Sequence, residues 1–270
     1  MPIIKFLPSG KEIEMSKGTT VLQAEQAAGI GQDAPCGGHG RCGKCKVWIN
    51  GKETLACRTK IQEDMTVVTE ETLWKTEILS TGMDSGVKVQ PVKEGTCHIS
   101  VDIGTTTVVA YLLDGENGEI LGTQSMLNPQ FPYGADVISR IQAALGGNLP
   151  VLSQMIREGV WSLIQKLCEE HGLSPEMIGT MAVVANPAMQ QLFLEQSPEN
   201  LAKPPFSPIF TAPQVLSLAD YFPVGGAGKL LVVPDIAGYV GADTMGCILA
   251  TGMYQDPELT LMIDIGTNGE

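Results

Sequence analysis

The chain has 270 residues, 43% of them hydrophobic, and a formal net charge of −13. That length and apolar share support two or three ordinary domains with real cores, while the acidity sets the chain against nucleic-acid phosphates. No apolar stretch approaches the roughly 18 residues that suggest a membrane span, and MPIIKFLPSGKEIEMSKG lacks the basic and apolar runs of a signal peptide, so no nucleic acid, no membrane and a cytoplasmic location are expected.

The predicted elements begin with two strands, residues 3–7 (IIKFL) and 11–15 (KEIEM), joined at Pro8-Ser9-Gly10 as a hairpin. Thr20 and Gln23 form a capping-box pattern that opens a helix through Ala28, stopped by Gly29. A cysteine loop follows. Residues 46–49 read as a strand, Asn50-Gly51 as a hairpin turn, and residues 65–69 as a last strand. Residues 72–96 carry little pattern and read as a linker between a domain at 1–71 and another at 97–270. From His98 to Asp114 the chain reads strand, Gly-Thr turn, strand, and a third strand starts at Glu119. Leu152, Met155, Ile156, Val160, Leu163, Ile164 and Leu167 step by threes and fours, which predicts an amphipathic helix ending at His171-Gly172. Residues 180–185 read as a buried strand, and Asn186-Pro187 as N-cap and first residue of a helix through Leu194. Six of the seventeen prolines fall in 198–228, an apparent irregular insertion. A strand at 230–233, a helix over 238–253 and a strand over 259–265 complete the reading.

Cys36, Cys42, Cys45 and Cys57 have the spacing C-x5-C-x2-C-x11-C, with Gly37, Gly38, Gly40 and Gly43 among the first three. Thiolates in a glycine-rich loop suit an iron–sulfur cluster, whose sulfides need close backbone N–H groups. The alternative is structural zinc, which more often uses paired CxxC knuckles. His39, Arg41 and Lys44 read as solvated loop residues beside it. Cys97, Cys168 and Cys247 have no partner at ligand spacing and read as small buried apolar residues. Seven cysteines without an export signal argue against a disulfide framework.

The core Asp-Ile-Gly-Thr occurs at 102–105 and again at 264–267. In each case a strand delivers an Asp, then Gly104 or Gly266 permits close backbone approach, and Thr105-Thr106 or Thr267-Asn268 offers donors to a phosphate. Asp102 and Asp264 suit Mg²⁺, a hard cation that prefers carboxylate oxygen. Asp136 and Arg140, four apart, read as an ion pair on a helix, and Asp243 as a helix cap.

These paired turns resemble the two phosphate motifs of the acetate and sugar kinase, Hsp70 and actin superfamily. Joined to the cysteine set, the chain resembles the ATP-dependent reductive activators of corrinoid enzymes. The resemblance lies in CGGHGRCGKC (36–45), Asn128-Pro-Gln, Tyr133–Ile141, Ile236–Asp243 and Asp264–Glu270. It implies an α+β β-grasp ferredoxin-like domain followed by an α/β ribonuclease-H-like (actin/Hsp70-like) half-domain. It also implies a [2Fe-2S] cluster on Cys36, Cys42, Cys45 and Cys57, and ATP with Mg²⁺ at Asp102, Gly104, Thr105, Thr106, Asp264, Gly266, Thr267 and Asn268. The implied activity is ATP-dependent return of cobalt(II) to cobalt(I) in a corrinoid protein or methyltransferase, fed by an upstream electron donor. The motifs name no residue for ATP hydrolysis. The second motif stands at Glu270, and the resemblance implies a further half-domain beyond it; the chain as given is expected to hold a cluster and to lack a complete ATP site. Two other readings stand: an electron carrier with a non-catalytic docking scaffold, and an ATP-dependent activator of another low-potential enzyme.

Overall fold

The computed structural model describes residues 1–30, 34, 36–69 and 96–264. These fall into two compact units, one of residues 1–69 with 131–140, the other of 96–130 with 141–264. Apart from Thr96, the linker lies outside the described residues, as do Gly266, Thr267 and Asn268.

In the first unit, β1 (Ile3–Leu7), β2 (Glu12–Glu14), α1 (Val21–Ala27), β3 (Lys46–Ile49), β4 (Lys52–Leu55) and β5 (Met65–Thr69) follow in chain order. The sheet order is β2-β1-β5-β3-β4. β1 alternates in burial, with Ile4 and Phe6 inside. That single apolar face fixes its register. β5 returns parallel to β1, pairing Ile4 with Met65, and β3 runs antiparallel to β5. One helix packed against a mixed sheet of this order is the β-grasp. The capping box at Thr20 and Gln23 forms as read, satisfying donors at the start of a seven-residue helix. Val21, Leu22 and Ala24 join Ile4, Phe6, Val47, Ile61 and Val67 in the core. Beside them Glu25 is fully buried, and neither carboxylate oxygen has a hydrogen-bond partner. Burial alone raises its pKa to about 8.

The second unit opens with the antiparallel meander β6 (Cys97–Ile103), β7 (Thr107–Asp114) and β8 (Ile120–Leu127). A short helix, α2 (Val137–Ala143), whose residues 137–140 belong to the first unit, leads along the chain through a kink at Gly147 into α3 (Leu149–Glu170). Leu152, Ile156, Val160, Leu163, Ile164 and Leu167 are all buried, the stripe that packs α3 on β7 and β8. Then come β9 (Ile178–Ala185), α4 (Pro187–Phe193), α5 (Glu199–Ala202), β10 (Gln214–Ser217), β11 (Lys229–Val232) and α6 (Ala242–Thr251). The sheet order is β10-β11-β9-β6-β7-β8, with β6, β9 and β11 mutually parallel. A three-stranded meander extended by parallel strands is the ribonuclease-H-like half of an actin/Hsp70-like fold.

Four expectations are corrected. The 198–228 stretch is not wholly irregular: β10 pairs with β11 from Gln214↔Val232 to Ser217↔Lys229 and closes one sheet edge. The last helix starts at Ala242 rather than 238, because the chain through Gly238 must first pass beneath Phe206; a Cβ there would stand against the Phe206 carbonyl. Residues 259–264 form no strand: β10 and β8 end the sheet, neither pairs with this stretch, and Leu259, Leu261 and Ile263 lie exposed. Cys97 and Cys168 are buried as read, but Cys247 is exposed on α6.

Candidate cluster site and candidate phosphate site

The first site sits on the loop between α1 and β3, closed by the turn after β4. Gly37, Gly38, Gly40 and Gly43 all take positive φ, a conformation that costs glycine nothing and lets the loop turn tightly. Sγ of Cys42 lies 3.3 Å from that of Cys36, and Sγ of Cys45 lies 3.3 Å from that of Cys57. Each pair is too far apart for a disulfide, whose S–S bond is about 2.05 Å. Two thiolates on one tetrahedral metal at bond lengths of about 2.3 Å stand about 3.8 Å apart, so each pair is close to chelating spacing. Among the described residues, no three His, Cys, Asp or Glu side chains gather as they would around one ion. The donors form two pairs rather than one quartet, which suits two irons better than one zinc.

The loop also supplies electrostatics. Burial would raise the Cys36 thiol, but N–H groups of Cys42 and Arg41, the Cys42 thiol and the His39 N–H outweigh it and bring the pKa to about 6. Cys57 moves the other way, to about 11, through burial and then the neighbouring Cys45 and Cys36, opposed only by the Gly40 N–H. A metal would remove that penalty by taking the thiolate charge. His39, Arg41 and Lys44 are exposed, as solvated loop residues should be. Arg58 donates to the Gly40 carbonyl at 2.9 Å and braces the loop from outside.

The second site follows from strand direction. β6, β9 and β11 run parallel, so their carboxyl ends share one sheet edge, the usual place for ligands in open α/β sheets. β6 delivers Asp102, β9 is followed by Asn186, and β11 is followed by Asp235. Alternation along β6 buries Ile99, Val101 and Ile103 and leaves Asp102 on the open face. The turn after it is tight: a Cβ on Gly104 would stand 2.8 Å from the Thr107 carbonyl oxygen. Asn128 donates its side-chain amide to the Gly104 carbonyl at 2.8 Å, and its backbone N–H to the Thr106 carbonyl at 2.8 Å. Asn186 caps α4 through the Met189 N–H, and its amide reaches the Thr105 hydroxyl at 3.0 Å.

Acidic groups crowd this edge. Packing of protein atoms around the carboxyl raises Asp102 to about 6, with the charges of Asp243 and Asp264 adding to it, and the solvent that still reaches the open face screens part of that effect. Asp243, near the start of α6, is also raised, by burial first and by Asp264 in part. Asp235 is 3% exposed, and neither carboxylate oxygen has a hydrogen-bond partner of normal geometry. Burial, with help from Asp243, raises it to about 7. Carboxylates that raise one another would be relieved by a cation, but among the described residues no three of them gather as ligands around one ion do. Asp264 lies within electrostatic reach of Asp102. Asp243, read from the sequence as a cap, is within the same reach of Asp102, and Asp235, which the sequence reading passed over, is within reach of Asp243. The signal for Asp235 was its place directly after the apolar run of β11. Asp136 and Arg140 are not a simple surface pair. The Asp136 carboxylate accepts from the Ser139 N–H at 2.7 Å, while Arg140 is wholly buried and donates Nε to the Gly134 carbonyl at 2.9 Å.

A β-grasp unit with paired thiols, followed by an actin/Hsp70-like half-domain, defines an iron–sulfur protein of two-unit build. Residues 4–66 match the 2Fe-2S iron–sulfur cluster binding domain, and residues 97–256 match the RACo middle region. The chain belongs to the RACo family. It is 28% identical to corrinoid activation enzyme RamQ of Eubacterium limosum, over 96% of this chain and 57% of that one. It is 26% identical to the [Co(II) methylated amine-specific corrinoid protein] reductase of Methanosarcina barkeri, over 64% of this chain and 33% of the other. A solved reductive activator for corrinoid, iron–sulfur protein shares the fold at a TM-score of 0.63 and 23% identity, covering 100% of this chain and 60% of its own. The chain therefore spans less than two thirds of each of these relatives. No described helix is long and apolar enough to cross a membrane.

Proposed function

We propose that this chain is the electron-delivering and nucleotide-responsive part of a reductive activator that returns cobalt(II) to cobalt(I) in a corrinoid protein or methyltransferase. The observation that carries it is the union, in one chain, of two thiol pairs in a β-grasp unit and a phosphate-type turn at the carboxyl edge of an actin-like sheet. A plain electron carrier has no use for the second.

Cys36 with Cys42, and Cys45 with Cys57, would hold the two irons of a [2Fe-2S] cluster. Such a cluster supplies one electron at a time. Gly104, Thr105 and Thr106 would face the phosphates of ATP, and Asp102 with Asp264 would hold its Mg²⁺. Gly266, Thr267 and Asn268 belong to the second motif by sequence. ATP is assigned because cobalt(II) reduction is uphill for an ordinary donor. A tenfold change in a one-electron equilibrium is 59 mV, so a few hundred millivolts is several kcal/mol, within reach of nucleotide-linked domain rearrangement. The partners are the corrinoid protein and an upstream reductant, in the cytoplasm.

Electron paramagnetic resonance of the dithionite-reduced protein, with metal analysis, tests the cluster. A reduced [2Fe-2S] signal with two irons per chain is expected. Protein that carries zinc and no iron would overturn the assignment.

A further inference from the structure

Two asparagines from different elements hold the turn after Asp102 in the same manner. Asn128, just past β8, accepts the Gln130 backbone N–H on Oδ1 at 2.9 Å and donates Nδ2 to the Gly104 carbonyl. Asn186 accepts the Met189 N–H on Oδ1 at 3.0 Å and donates Nδ2 to Thr105 Oγ1. In each case the backbone donor fixes which end of the amide is oxygen, so Nδ2 must face the turn. Both side chains are buried, at 1% and 7% exposure.

Their contacts end on different chemistry. The Asn128 bond ends on a main-chain carbonyl and shapes the loop. The Asn186 bond ends on a hydroxyl, which has one hydrogen and two acceptor positions. An amide donating into that oxygen turns the hydroxyl hydrogen away from Asn186. Asn186 also lies against the start of α6. A Cβ on Gly241 would stand 2.6 Å from Asn186 Cα and 2.7 Å from Asp243 Oδ1. One side chain thus touches the first phosphate turn and caps α4, and its backbone packs under the loop that carries Asp243.

We propose that Asn186 is a positioning residue of the phosphate site: it orients the Thr105 hydroxyl as a hydrogen-bond donor toward a bound phosphate oxygen. The inference rests on the phosphate reading of the Asp102–Thr106 turn. Capping alone does not explain an asparagine here. A cap needs only an acceptor, and serine or threonine serves at that position. The amide donor is the additional chemistry, and it is spent on Thr105.

The test is a double-substitution cycle read by calorimetric titration of the full chain with magnesium and ADP. Asn186→Ser keeps the cap oxygen and loses the amide that reaches Thr105. It is expected to weaken binding about tenfold, the loss of one hydrogen-bond's orientation at a charged ligand. In a T105V background the same substitution is expected to change binding less than about twofold, because the group it orients is gone. The thermal midpoint of N186S should stay near wild type. If N186S does not fold, N186T repeats the cycle with another capping hydroxyl. Equal losses in both backgrounds, with wild-type binding intact, overturn the role of Asn186 alone. A wild-type chain that binds no magnesium–ADP overturns the phosphate reading and this inference with it.

Discussion

Cys45 and Cys57, twelve residues apart in sequence, bring their sulfurs to 3.3 Å because the β3–β4 hairpin folds one back over the other. The Ala56 N–H to Cys45 carbonyl bond, at 2.7 Å, locks that closure. The pair proposed to hold the second iron is therefore set by ordinary strand pairing, and the pair proposed for the first by the glycine loop. Cys57→Ser should lose most of the bound iron and the visible absorption of the cluster. Cys247→Ser, on exposed α6, should retain both. Iron analysis of the two variants side by side checks this, and equal iron in both would break the ligand assignment.

The Asp102 carboxyl is held up, to about 6, by desolvation and then by Asp243 and Asp264, which disfavour its charged form. A cation needs that charge. Magnesium-dependent nucleotide binding should therefore weaken as pH falls through about 6 and level off above 7. Asp102→Asn should bind weakly and lose that pH dependence. Calorimetry from pH 5.5 to 8 checks the sign. Binding that strengthens toward acid would contradict it.

Gly104 lies so near the Thr107 carbonyl that an added Cβ would stand 2.8 Å from its oxygen. Gly104→Ala must shift the turn that Asn128 and Asn186 hold. We expect at least a tenfold loss of nucleotide affinity, about 1.4 kcal/mol, with cluster absorption unchanged, since the thiol pairs belong to the other unit. Loss of iron in this variant would show that it misfolds globally.

How far the sequence carried these sites depends on the kind of signal. The Thr20 and Asn186 caps, the α3 stripe and the meander were legible because each rests on local periodicity or a single side-chain bond. The closeness of Cys36 to Cys42 was legible because their spacing is local, and that of Cys45 to Cys57 because Asn50-Gly51 signals the hairpin between them. The carboxylate cluster was only half legible. Asp102 and Asp264 carry a repeated motif, whereas Asp235 and Asp243 come within electrostatic reach of each other only through the path of the chain from the end of β11 to the start of α6. β10 was hidden because its pairing with β11 crosses a proline-rich stretch. Residues 259–264 have strand composition, yet the described sheet offers them no partner, so composition misled.

Glu25 gives a stability test. Its folded pKa of about 8 lies above the ordinary value of 4.5 because the carboxyl is buried. The sign follows by linkage. Below about pH 4.5 both states are protonated and its contribution is full; as pH rises toward 8 the unfolded chain ionises first and stability is lost. Glu25→Gln removes that loss. The thermal-midpoint gain of E25Q over wild type should be small at pH 5 and grow toward pH 8. A gain independent of pH would mean that the buried carboxyl does not titrate this way.

The central claim joins the two sites in one device. Its most direct measurement is the absorbance of cobalt(I) in a purified corrinoid protein, reduced by the full chain and an excess donor, with and without magnesium–ATP. The account predicts accumulation of cobalt(I) with ATP and little without it. It also predicts that Asp102→Asn removes the difference while keeping its cluster. Equal cobalt(I) with and without nucleotide would contradict it and leave a simple electron carrier.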